Sequence, residues 1–286
     1  MPASNALFDR FLVPVLRTFI NQDDVAKQYQ EIDWKAASAR LSDPTLIYPD
    51  YYQQANFHGI EGGYLTVGAA VSYDPITQYA LPPGESLVRQ AAIATIHTQP
   101  RRILDLGCGT GSGTLLLKQR FPDAEVIGLD LSPYMLVVAE QKAQKAGVTI
   151  QWRHGLAEKT SFPDASFDLV TASLLFHETP VAIAKAILRE CYRLLTVSGE
   201  VVILDGSQRV LRQADWLTHI FEEPYIREYA AGSMDAWMGS AGFGAVLTED
   251  VWWLHQTTRG VKPLTHKVEF ASPETSSDGA VGWALG

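Results

Sequence analysis

Between residues 87 and about 205 the chain alternates short apolar runs with stretches of helical period. The runs are Ile103 to Leu106, Glu125 to Asp130, Thr149 to Arg153, Phe167 to Ala172 and Glu200 to Asp205. Strands separated by helix-length segments call for a parallel sheet with crossover helices. After the second run, Ser132 before Pro133 reads as an N-cap and first helical position, and Gly147 as the C-terminal stop. Thr179-Pro180 opens a later helix in the same way. On that helix Ile183, Ile187, Cys191 and Leu194 share one face, which makes Cys191 a core residue.

The flanks differ. Residues 7–41 read as amphipathic helices, with Phe8, Leu12, Val15 and Leu16 and later Val25, Tyr29 and Ile32 at helical spacing. Residues 43–86 turn to Tyr, Gly and Pro, too aromatic for a flexible linker. Residues 1–86 are therefore expected to form a helical and aromatic-loop cap on a domain spanning 87–271. That domain carries a helical insert near 210–243, strand-like runs at Val251 to His255 and Val261 to Val268, and a tail, 272–286, expected to fray.

Composition narrows the partners. Hydrophobic residues are 47% and charged residues 19% of the 286, a globular balance. The formal charge is −9 and Arg101-Arg102 is the densest basic point, which disfavours a nucleic-acid partner, since backbone binding needs a basic stripe. Only Cys108 and Cys191 occur, so neither a disulfide framework nor a metal site is suggested, and a cytoplasmic setting fits. No stretch approaches the roughly 20 apolar residues of a membrane span, so a small-molecule partner and no membrane are expected, with monomer or homodimer open.

Chemistry enters at Asp105-Leu106-Gly107-Cys108-Gly109-Thr110-Gly111, which follows a strand and opens a helix, where parallel sheets present ligands. The dinucleotide fingerprint would need a glycine at Ser112, and its absence shifts the reading from nicotinamide to S-adenosylmethionine. The next strand ends on Asp130, a carboxylate placed to accept the ribose hydroxyls.

With the loop and Asp130 in register, the segment from Arg102 to about Asp205, a little over a third of the chain, resembles the class I S-adenosylmethionine-dependent methyltransferases. It is most similar to the branch of the ubiquinone/menaquinone C-methyltransferases and small-molecule O-methyltransferases. The resemblance implies an α/β fold: a doubly wound, mostly parallel, seven-stranded Rossmann-like sheet under an N-terminal helical cap, with the late runs as its last two strands. It also implies that Asp105 lies near the methionine amino group, that Gly107, Cys108 and Gly109 back the cofactor, that Asp130 holds the ribose and that Leu131 packs on adenine. Where the family often reads Gly-Asp-Ala-Glu, this chain reads Gly155-Leu156-Ala157-Glu158. Adenine recognition is then left to apolar packing by Leu131 and Leu156, to backbone groups near Ala157, or to a side chain the motif does not identify.

The fourth strand runs into Ser173-Leu174-Leu175-Phe176-His177-Glu178, where cofactor and acceptor meet in the family. Ser173 is taken as a cofactor contact and His177 as the candidate general base, with Glu178 holding the imidazole or facing water. Tyr51, Tyr52, His58 and Tyr64 are candidate acceptor contacts, and Trp216, Tyr225, Trp237, Trp252 and Trp253 are expected to wall an apolar or aromatic acceptor. The expected activity is methyl transfer to oxygen of a small metabolite, ahead of carbon or nitrogen. A nucleic-acid or protein methyltransferase, and a silent cofactor-binding protein, are the alternatives.

Overall fold

The computed structural model describes residues 30, 32–53, 55, 57, 62–80, 83–214, 216 and 224–264. The periodicities read at residues 7–29, His58 and the tail at 272–286 lie outside the described residues.

Seven strands form one sheet: β1 (Arg102–Leu106), β2 (Glu125–Asp130), β3 (Gln151–His154), β4 (Phe167–Ser173), β5 (Leu195–Gly206), β6 (Gly244–Val251) and β7 (His255–Val261). Their order is β3-β2-β1-β4-β5-β7-β6. The first five pair in parallel and β7 runs antiparallel to both β5 and β6. β1, β2 and β4 match their apolar runs, because a strand covered on both faces carries apolar residues almost continuously. β5 instead begins at Leu195, five residues before its run, and the edge strand β3 begins two residues late and carries polar Gln151, Arg153 and His154.

Helices bracket the sheet. α1 (Trp34–Leu41), α2 (Asp50–Gln53) and α3 (Val67–Ala80) precede α4 (Glu85–Ala94), so the domain boundary drawn between residues 86 and 87 falls inside α4. α5 (Ser112–Arg120) follows β1, α6 (Pro133–Lys145) follows β2 and α7 (Val181–Leu194) leads into β5. α8 (Gln208–Gln213), α9 (Ile226–Ala231) and α10 (Met234–Ser240) lie within the expected insert.

Strand alternation divides the core. Ile103, Val126, Leu169 and Val202 pack with Leu117 and Phe121 of the α5 segment and with Ile96. Leu104, Ile127, Val170, Val201 and Ile203 instead join Ile187, Leu188, Cys191 and Leu194 of α7. Cys191 is wholly buried there, as its spacing implies. Ser132 caps α6 by accepting from the Met135 N–H, with Pro133 first in the helix and Gly147 at φ 66°.

Two expectations need correction. Thr179-Pro180 does not repeat the Ser132-Pro133 cap: a single 3-10 turn (Phe176–Glu178) engages the Thr179 hydroxyl, which donates to the Phe176 carbonyl at 3.1 Å, and Pro180 takes the N-cap position. The last two strands also lie seven and six residues earlier than read. Trp252 to Leu254 is the turn between them, with Trp252 at φ 54°. High strand propensity marked those tryptophans as strand, whereas the partner they would need is taken by the hairpin itself.

Candidate active site

The loops at the carboxyl ends of β1 to β4 enclose one cavity, whose wall includes Gly107, Gly109, Asp130, Leu131, Ala157 and Ser173. The other side is supplied from the cap region by Tyr51, Tyr52, Phe57, Tyr64 and Tyr73. The carboxylates Asp130, Glu158 and Glu178 line it, and no lysine, arginine or histidine does among the described residues.

The glycine loop is shaped by conformation as well as by size. Gly107 sits at φ 62°, and a Cβ there would lie 2.9 Å from Leu175 Cδ1. Gly111 sits at φ 76° with Trp152 and Ala139 as close, so a side chain at either position would be strained and would clash. The Cys108 side chain turns away from the cavity toward Leu136, Ala139 and Trp152, and burial raises its thiol pKa far above the usual range.

Asp130 is 8% exposed. One carboxylate oxygen accepts the Gly109 N–H at 2.7 Å and the other the Ser132 N–H at 2.8 Å. Asp130 lines the cavity, and each oxygen keeps lone-pair capacity for a further donor, as a vicinal diol requires. Burial raises its pKa to about 6, against those two bonds, which pull it down. With Leu131 and Ala157 beside it and a loop free of Cβ atoms below, the cavity suits a nucleoside that ends in a polar tail.

Not every residue read from the sequence reaches the cavity. Asp105 faces α4 and α5, 3% exposed, its oxygens accepting from Thr114 at 2.6 Å and Thr171 at 2.8 Å. Leu156 lines an outer groove beyond β3, while Ala157 turns inward. The tryptophans are not the cavity wall: Trp237 is buried against Tyr229, Trp216 is exposed, and Trp252 and Trp253 are exposed at the β6–β7 turn. Tyr225 donates from its hydroxyl to the Tyr51 carbonyl at 3.3 Å and does not line the cavity among the described residues. They fail as a wall because Tyr and Phe from residues 51–73 already close the cavity.

His177 is held rather than loose. Its Nδ1 lies 2.6 Å from Asp205 Oδ1, and that buried carboxylate also accepts from the Phe176 and Gly206 backbone N–H groups. Donation from Nδ1 leaves Nε2 as the basic nitrogen, on the edge facing Glu178 Oε1 at 3.9 Å. Tyr64 donates to the same Glu178 oxygen at 2.6 Å, stacks on Phe57 at 5.2 Å and accepts the Ser132 hydroxyl on its carbonyl.

Three contacts had no local signal. Asp74 of α3 accepts the Thr110 hydroxyl and, at 2.8 Å, the Lys142 ammonium of α6, which also donates to Ser112 at 2.7 Å. Tyr51 donates to Glu158 at 2.9 Å, and its own pKa is raised by burial and by that carboxylate. His154 accepts the Asp43 N–H on Nδ1 and points Nε2 at the Leu131 carbonyl and the Tyr48 hydroxyl, with burial lowering its pKa. Among the described residues no cluster of three or more His, Cys, Asp or Glu could hold a metal ion, and no helix is long and apolar enough to cross a membrane.

Comparison with known proteins agrees with this geometry. A family model described as a methyltransferase domain matches residues 103–199. The demethylmenaquinone methyltransferase of Thermus thermophilus is 39% identical over 117 residues, 41% of this chain and 52% of its own length. The chain thus spans about half the length of the curated relatives it matches. Among solved structures, a Nostoc punctiforme protein described as a candidate O-methyltransferase shares the fold at TM-score 0.57 and 20% identity, over 80% of this chain and 67% of its own. Phosphoethanolamine N-methyltransferase 2 of Haemonchus contortus, solved with S-adenosylmethionine, does so at TM-score 0.55 and 15% identity, over 78% and 61%. With the sheet order, the glycine loop and the buried Asp130 in place, residues 103–199 carry a methyltransferase domain within a seven-stranded α/β fold.

Proposed function

We propose that this chain transfers the methyl group of S-adenosylmethionine to oxygen of a small apolar or aromatic metabolite. The observation that carries the proposal is the single cavity in which Asp130, the glycine loop and a wall of tyrosines meet. When bound, S-adenosylmethionine supplies an activated methyl group, and alignment with the acceptor accounts for much of the remaining barrier, at most about 7–11 kcal/mol.

The protein's part is to bind, orient and take a proton. Asp130 holds the ribose diol through the lone pairs its backbone donors leave open. Leu131 and Ala157 pack the adenine, and the His154 bond to the Leu131 carbonyl fixes that wall. The residues before α4 act as a cap, with Tyr51, Tyr52 and Tyr64 covering the acceptor and excluding water. His177 stands outside the cavity lining, behind Glu178; oriented by Asp205, it is the proposed general base, its Nε2 taking the hydroxyl proton of an acceptor that reaches past that carboxylate. The relatives named demethylmenaquinone methyltransferases make a quinol of that kind the first acceptor to try, since an aromatic ring matches the tyrosine lining.

The test is a methyl-transfer assay with labelled S-adenosylmethionine against quinols, phenols and hydroxy acids. The expected result is label in a quinol or phenol hydroxyl and a rate lost in His177→Ala. Label at ring carbon would overturn the oxygen assignment, and turnover only on nucleic acid or protein would overturn the small-molecule reading.

A further inference from the structure

We propose that Glu178, and not Asp105, receives the protonated amino group of the cofactor's methionine moiety. The inference rests on the S-adenosylmethionine reading above and assigns the ionic end of that same cavity.

Strand order sets the direction of the ligand. Across β3, β2, β1 and β4 the cavity passes Ala157, then Asp130, then Gly107, then the turn after β4 that carries Glu178. A nucleoside with its ribose on Asp130 and its base toward Ala157 extends its amino-acid tail over Gly107 toward that turn. The tail carries an ammonium, and burying a cation without a partner is costly. Among the described residues that line the cavity, Glu178 is the carboxylate at that end, because Asp130 serves the ribose and Glu158 lies at the β3 end beside Tyr51.

Asp105 is the loop acid but occupies the wrong face. Alternation along β1 points it, with Ile103, away from α7 and out of the cavity lining, where Thr114 and Thr171 donate to its oxygens. Glu178 lines the cavity, and Tyr64 holds its Oε1 at 2.6 Å, which fixes the carboxylate before the ligand arrives. A pre-oriented carboxylate loses little freedom on pairing, so its charge-assisted bond keeps most of its strength.

Calorimetric titration separates the ends of the ligand. S-adenosylhomocysteine carries the ammonium, and 5′-methylthioadenosine has the same nucleoside without it. Glu178→Gln is expected to weaken S-adenosylhomocysteine by about 10-fold or more while 5′-methylthioadenosine changes by less than about twofold. Glu158→Gln is expected to affect both ligands alike. Tyr64→Phe should show the ligand selectivity of Glu178→Gln at smaller size, and it decides the matter if Glu178→Gln does not fold. Unchanged S-adenosylhomocysteine binding in Glu178→Gln, or equal loss for both ligands, overturns the assignment. A wild-type protein that binds neither S-adenosylmethionine nor S-adenosylhomocysteine refutes instead the cofactor reading beneath it.

Discussion

Asp74 and Lys142 tie α3 to the glycine loop and to α6, and removing either should loosen both at once. The pair spans 2.8 Å with side chains 32% and 24% exposed, so solvent screens it and its direct worth is about 1 kcal/mol at most. Asp74 also accepts the Thr110 hydroxyl, a bond worth about 1 kcal/mol. Asp74→Ala should therefore cost about 2 kcal/mol and lower the melting temperature by roughly 4–8 °C for a domain of this size. Lys142→Met should cost somewhat less, because Ser112 can turn its hydroxyl to water. The double variant should fall short of the sum by about 0.5–1 kcal/mol, since each single change already breaks the shared contact. Thr110 lies between Gly109 and Gly111, so S-adenosylmethionine affinity should fall with stability, by about 3- to 10-fold. Thermal melts on the four proteins, with calorimetric titration, read both quantities. Strict additivity of the two changes, or lost stability with unchanged affinity, would refute the coupling.

Asp130 sets a pH dependence whose sign follows from its raised pKa. Between about pH 4 and 6 the buried carboxyl keeps a proton that the unfolded chain has released, so its contribution to the stability of the ligand-free protein falls as pH rises through that window and is level above it. Ribose hydroxyls need the ionised form, so S-adenosylmethionine affinity should drop up to about tenfold per unit below pH 6, and Asp130→Asn should flatten that profile in the same titrations. Gly107→Ala meets Leu175 at 2.9 Å and a backbone angle that costs about 1–2 kcal/mol. Its cofactor affinity should fall at least tenfold with far-UV circular dichroism unchanged, and wild-type affinity would count against the close approach. Asp205→Asn should keep S-adenosylmethionine binding within about threefold while lowering kcat about 10²-fold or more and moving the acid limb of the rate profile. A parallel loss of kcat and cofactor affinity would make Asp205 structural only.

How much of this was legible in the sequence follows from how local each signal is. β1 to β5 and the Ser132 cap of α6 were readable because periodicity and capping act over a few residues. The glycine loop and Asp130 were readable because one strand, one turn and one further strand fix their spacing. The cavity wall was half legible: Tyr51, Tyr52, Phe57 and Tyr64 of the aromatic tract reach the site, while Trp237, Trp252 and Trp253, as bulky and as aromatic, serve a core and a turn. Composition cannot tell these apart, since burial is decided by partners far along the chain. Tyr64 meets Glu178 across 114 residues, Lys142 meets Asp74 across 68, and His154 meets Asp43 across 111. The displaced β6 and β7 show the same limit, because propensity scores Trp252 and Trp253 as strand and only the hairpin register makes them a turn. Glu178 was visible as a neighbour of His177, yet its place at the ionic end of the cavity depends on the order of four strands.

The central claim is that Asp130 anchors S-adenosylmethionine in this cavity, and calorimetric titration of the wild-type chain and Asp130→Ala with S-adenosylmethionine and S-adenosylhomocysteine tests it most directly. Micromolar binding of both ligands to the wild type, weakened at least about 30-fold in Asp130→Ala while the variant remains folded, is the expected result. No heat with either ligand, or equal affinity in the two proteins, would contradict it.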